Sequence, residues 1–104
     1  MFDYKQLQKM QQELQERMAK MDQELANQQV EAASGGGVVK VKFNGKQDLL
    51  SIKISPEAID PNDIEMLEDL VLAAVNSGIA KSKELGQSNL SQLAGGMKIP
   101  GFPF

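Results

Sequence analysis

Apolar residues in the first quarter of the chain stand at Leu7, Met10, Leu14, Met18, Met21 and Leu25, at spacings of 3, 4, 4, 3 and 4. That is a helical period, and it predicts one long helix over about residues 3–27. The six positions make a narrow stripe, closer to a coiled-coil seam than to the broad face a helix rests on a globular core. The spacing repeats after eleven residues, pairing Leu7 with Met18, Met10 with Met21 and Leu14 with Leu25. An 11-residue repeat runs at ~3.67 residues per turn, so the seam is expected to be nearly straight or slightly right-handed. Its three methionines suit adaptable packing. The opposite side carries Lys5, Lys9, Glu16 and Lys20, a row that composition alone reads as a solvated face.

After Asn27 the period changes to two. Val30 to Ser34 read as a strand, Gly35 to Gly37 as a turn or bulge, and VVKVKF and QDLLSIKI as two further strands around Asn44-Gly45. Asn-Gly between alternating runs predicts a two-residue type I′ hairpin, in which both central residues take positive φ. That loop would pair Phe43 with Lys46. Val39, Val41, Phe43, Leu50, Ile52 and Ile54 then share a core face, and Val38, Lys40, Lys42, Gln47, Leu49, Ser51 and Lys53 share a wet one. The glycine run lacks the Lys-Ser/Thr and helix start of a phosphate-cradling loop.

Pro56 ends the last strand, and Asp60-Pro61-Asn62-Asp63 predicts a capped helix over about 61–85. On this helix Ile64, Leu67, Val71, Ala74, Val75, Gly78, Ser82 and Leu85 form one stripe, and Met66, Leu70 and Ala73 a second. One three-stranded sheet does not cover two stripes, so the second is expected to meet another copy of the chain. Gly78 and Gly86 are expected to interrupt this helix. Residues 89–104 are expected to form a flexible tail whose Ile99, Phe102 and Phe104 suit docking on a partner.

The chain has 104 residues, which fits one small α+β domain, here placed at 1–88 in the order α-β-β-β-α. Without cysteine or histidine there are no disulfides, thiolate or imidazole metal sites, or imidazole-based catalytic schemes. Neither a catalytic residue nor a metal ligand is assigned. Nothing in the sequence resembles a signal peptide or a membrane span, so the chain reads as intracellular and soluble, with no membrane partner. The net charge is -3, unevenly spread: residues 34–55 carry +3 and residues 56–80 carry -6. The acids Asp60, Asp63, Glu65, Glu68 and Asp69 are mostly explained by the helix start, which favours negative charge; a Mg²⁺ site there is a distant alternative. The overall field repels nucleic acid weakly, so any such contact needs a local patch.

The glycine run followed by V-K-V, N-G-K, L-S-I-K-I, Pro, D-P and M-L-E-D-L, with a terminal GGMKIPGF, resembles the YbaB/EbfC family of bacterial nucleoid-associated proteins. The resemblance covers nearly the whole chain. It implies a homodimer with a shared core of sheets and second helices, from which long helices project like tweezers and bind duplex DNA. It also implies a cytoplasmic, nucleoid location, a non-enzymatic role, and neither cofactor nor small-molecule substrate. The DNA-binding positions it implies are Lys5, Lys9, Arg17 and Lys20 on the first helix and Lys81 and Lys83 on the last. Met66, Leu70 and Ala73 are the expected dimer interface. The other expectation is a protein-interaction dimer that captures its partner through the Leu/Met seam and the apolar tail.

Overall fold

The structure, a computed structural model, describes residues 3–96. It comprises α1 (Tyr4–Asn27), β1 (Gln29–Ser34), β2 (Val39–Asn44), β3 (Leu49–Ile54), a short 3₁₀ turn over Pro56–Ala58, and α2 (Ile64–Gly96). The strands form one antiparallel sheet in the order β1-β2-β3. The α+β class and the α-β-β-β-α order follow the expectation from periodicity.

Asp3 starts α1: its Oδ1 accepts the Gln6 amide at 2.8 Å, satisfying one of the N–H groups that a helix start leaves open. The last turn of α1 is anchored. Leu25 is buried, and its carbonyl accepts the Gly45 amide at 2.8 Å. Between these ends α1 is almost entirely exposed, and the molecule extends 71 Å along its longest axis.

The core lies where α2 crosses the sheet. Val39, Val41 and Phe43 of β2, Ala32 of β1 and Ala74 of α2 are buried, with Leu67, Leu70, Val71, Val75 and Ile79 against them. The first predicted stripe of α2 is therefore the sheet-facing one. Gly78 is part of the contact, because a Cβ there would overlap the Phe43 ring and crowd Val41. The missing side chain lets helix and sheet come close.

Three expectations are corrected. The β2–β3 connection is not a two-residue type I′ turn. Its only residue with positive φ is Gln47 (67°), and the register pairs Val39 with Ile54, Lys40 with Lys53, Val41 with Ile52 and Lys42 with Ser51. An irregularity follows, and Phe43 then pairs with Leu49. Asn44 explains the longer loop: its Oδ1 accepts the amides of Lys46 (2.9 Å) and Asp48 (3.0 Å), and its Nδ2 donates to Asp48 Oδ2. Side-chain hydrogen bonds to nearby backbone compete with the turn that dipeptide preference selects. In the regular part of the ladder the slip is four residues, an even number, so the predicted faces survive there. Outside it, Leu49, expected on the wet face, is paired with Phe43, and Val38 packs against the core.

Second, α2 starts at Ile64, three residues after Pro61. Asp63 Oδ1 accepts the Met66 amide, while Asp60 closes the preceding turn by accepting the Asn62 amide. The same helix runs on to Gly96, beyond the expected end near 85 and into the segment expected as tail. Gly78 and Gly86 do not interrupt it. The expected docking residues Ile99, Phe102 and Phe104 lie outside the described residues.

Third, the predicted core face is only half covered within one chain. Leu50, Ile52 and Ile54 are 46%, 42% and 40% exposed, although Ile52 and Ile54 sit directly opposite fully buried Val41 and Val39. The cause is placement: α2 packs mainly over β1 and β2.

Candidate nucleic-acid interface

The base of α1, the β2–β3 loop and the middle of α2 meet at Ser82. This side chain is fully buried; its hydroxyl donates to the Asn44 carbonyl at 2.7 Å and accepts the Gln47 amide at 3.0 Å. Asn44 is itself buried, and Gly45 lies so close to α1 that a Cβ would come within 2.6 Å of Leu25 Cδ2. Lys46 adds a 3.0 Å ion pair to Asp22 of α1. As an exposed pair it contributes at most ~1 kcal/mol, so the hydrogen-bonded loop, and not the ion pair, fixes the direction in which α1 leaves the body.

From this base α1 carries the expected DNA-binding residues outward. Lys5, Lys9, Arg17 and Lys20 are all exposed. Arg17 and Lys20 stand beside the end of α2, lining with Met21, Glu24, Asn89 and Gln92 a shallow depression of about 240 Å³. Lys5 and Lys9 lie further out, toward the free end. Along the seam, Met21 is half-buried and Leu25 buried, whereas Leu7, Met10, Leu14 and Met18 stay open to solvent.

The two lysines expected on the last helix do not form one row. Residues two apart on a helix are ~200° apart around its axis. Lys81 turns toward the sheet and donates to the Glu31 carbonyl of β1 at 2.9 Å. Lys83 borders an opening lined also by Gly45, Gln47, Gly86, Gln87 and Leu90, next to the hairpin loop. The structure thus groups Lys81 with the body and Lys5, Lys9, Arg17 and Lys20 with the arm. Of the expected dimer residues, Met66 and Ala73 are exposed, while Leu70 is half-buried against its own core and its carbonyl accepts the Ser34 hydroxyl at 2.6 Å.

Sequence reasoning missed the bridging role of Ser82 and the side-chain role of Asn44. The available signal was a hydroxyl within the apolar stripe of α2, since a polar atom on a core-facing stripe needs a partner. Among the described residues no group of three or more Asp, Glu, His or Cys side chains is placed to hold a metal ion, and no helix is long and apolar enough to cross a membrane.

A three-stranded sheet crossed by one helix, with a second helix projecting from the hairpin end and bearing cations, defines a small body-and-arm protein. The chain belongs to the YbaB/EbfC DNA-binding family, whose profile matches residues 1–97. It is 51% identical over 88 residues to a nucleoid-associated protein of Syntrophobacter fumaroxidans, covering 85% of this chain and 80% of that one. It is 47% identical over 97 residues to a nucleoid-associated protein of Pelotomaculum thermopropionicum, covering 93% and 89%. The fold is shared with the crystal structure of an uncharacterized protein from Helicobacter pylori, at a TM-score of 0.77 and 24% identity over 89% of this chain and 97% of the other.

Proposed function

We propose that the protein is a homodimer of the bacterial nucleoid that binds duplex DNA mainly through phosphate contacts from α1, and so influences nucleoid organisation and gene expression. The observation that carries this reading is the row of exposed cations on a helix anchored to the hairpin loop by its last turn. Lysines in such a row reach phosphates without unpacking anything, and phosphate contacts supply binding that depends little on sequence. The names of the relatives support the location and the nucleic-acid partner.

Dimerisation is supported by the bare strip of Leu50, Ile52 and Ile54 beside the covered half of the same face, together with exposed Met66 and Ala73. A second copy covering β3 completes the core on both sides, as closed two-fold pairs do. Leu70, which already serves its own core, lies at the margin of that interface. Titration of labelled duplex DNA at several salt concentrations tests the reading: log K is expected to fall linearly with log salt, at a slope of roughly -0.9 per neutralised phosphate. Binding that is insensitive to salt would exclude phosphate contacts. It would favour the second reading, capture of a protein partner by exposed Leu7, Met10, Leu14 and Met18.

A further inference from the structure

The outer face of the sheet, away from α2, carries Lys40 and Lys42 on β2 and Ser51 and Lys53 on β3. Lys40 and Lys53 are direct cross-strand partners. Side chains at such positions start ~5 Å apart, and like charges there destabilise a sheet. A glutamate at either position would relieve the repulsion, yet neither lysine has an ion-pair partner among the described residues. Lys42 does: Glu31, opposite it on β1, stands at 3.5 Å. Three ammonium groups therefore face solvent against one carboxylate. Together with Ser51 and Glu31 they line a depression of about 160 Å³, in which the serine hydroxyl offers a further donor. Lys81 reaches the neighbouring edge strand at the Glu31 carbonyl, adding a fourth cation beside this surface.

We infer that this face is a second phosphate-binding surface, on which the body of the protein holds the backbone of the duplex that the arm engages. The inference rests on the DNA-binding reading above and extends it from α1 to the sheet. Lys40 and Lys42 are two residues apart on one strand, so their side chains rise ~7 Å apart on the same face, a spacing that suits successive phosphates along a nucleic-acid strand. The row leads along β2 to Asn44 and Gly45, where α1 departs, so a backbone lying on the sheet continues toward the arm cations. The inner face does not compete, because its uncovered strip is apolar and suited to a second copy. The lysine-bearing face is thereby left open in the dimer.

The test compares the full-length protein with Lys40→Gln/Lys53→Gln and with Lys5→Gln/Lys9→Gln/Lys20→Gln, using one labelled duplex over a salt series, and follows backbone amide shifts by NMR. For the sheet variant the salt slope is expected to flatten by about 2 for each sheet face that engages. Its thermal midpoint is expected to stay level or rise, since a like-charge pair is gone. In the unmodified protein the amides of Lys40, Ser51 and Lys53 are expected to shift with the duplex and to move less in the sheet variant. If only α1 amides shift and the sheet variant keeps its slope, the sheet surface is overturned while the arm reading stands. If the unmodified protein binds no duplex, both fail. Shifts at these residues with inorganic phosphate but not with duplex would assign a free-anion site and overturn the DNA contact. Shifts that grow with protein concentration alone would assign the face to the acids of another copy, and the DNA contact would be overturned in that case too.

Discussion

The body and the arm of this protein are built on opposite principles. In the body, Val39, Val41, Phe43 and Ala74 are enclosed, and the buried polar groups of Ser82 and Asn44 are hydrogen-bonded. In the arm, four of six seam residues are open to solvent, and order depends on Asp3 at one end and Leu25 at the other. Isolated helices shorter than ~12–15 residues are marginal in water, so α1, with 24 residues, owes its direction to its base and its persistence to length and capping. The difference separates enclosed residues from open ones: substitutions in the core of the body are expected to change whether the protein folds, and substitutions along the arm to leave the fold intact.

Phe43→Ala should have the largest effect, about 3–5 kcal/mol lost in denaturant unfolding, because the ring fills the space that Gly78 leaves against the sheet. Leu14→Ala on the arm is expected to move the same measurement by less than about 0.5 kcal/mol. A comparable loss at Leu14 would mean that the seam is packed in solution and would erase the contrast. Ile52→Asp places a charge in the uncovered strip. In sedimentation it is expected to convert a dimer into a folded monomer, whereas Leu70→Asp should unfold the chain outright, since Leu70 serves its own core.

Gly45→Val is next, at about 1–3 kcal/mol in thermal unfolding, through collision with Leu25. Ser82→Ala should cost about 1–3 kcal/mol, because the buried Asn44 carbonyl loses its hydroxyl donor. The smallest change in stability is expected for Lys5→Gln/Lys9→Gln/Lys20→Gln. A melt within about 0.5 kcal/mol of the parent should accompany a salt slope flattened by as much as ~5 per dimer.

How much of this is legible in the sequence depends on whether a feature is local. The period of the seam places α1, and alternation places three strands and their faces, because those patterns follow from geometry along a single element. The hairpin register is not legible in the same way. Asn44 bonds to Lys46 and Asp48 while Gly45 meets Leu25, a contact twenty residues away that dipeptide preference does not contain. Gly78 and Gly86 read as breaks because, in an isolated helix, glycine costs ~1 kcal/mol. In the folded chain Gly78 admits Phe43, and Gly86 faces the Gly45 carbonyl. The family resemblance supplies the arm cations as one set. It does not separate Lys81, whose place beside Glu31 depends on the crossing of α2 over the sheet.

The anchoring of α1 by its last turn makes the helix a lever. Its 24 residues span ~36 Å at 1.5 Å per residue, with the pivot at the Leu25–Gly45 hydrogen bond. A rotation of roughly 10° at that pivot carries the far end of such a rod by about 6 Å. A sub-ångström adjustment in the hairpin loop is thus magnified into a displacement as large as a helical turn at Lys5. In a dimer of the proposed kind, the packing around Ser82 and Gly45 would tune the separation of the two arms.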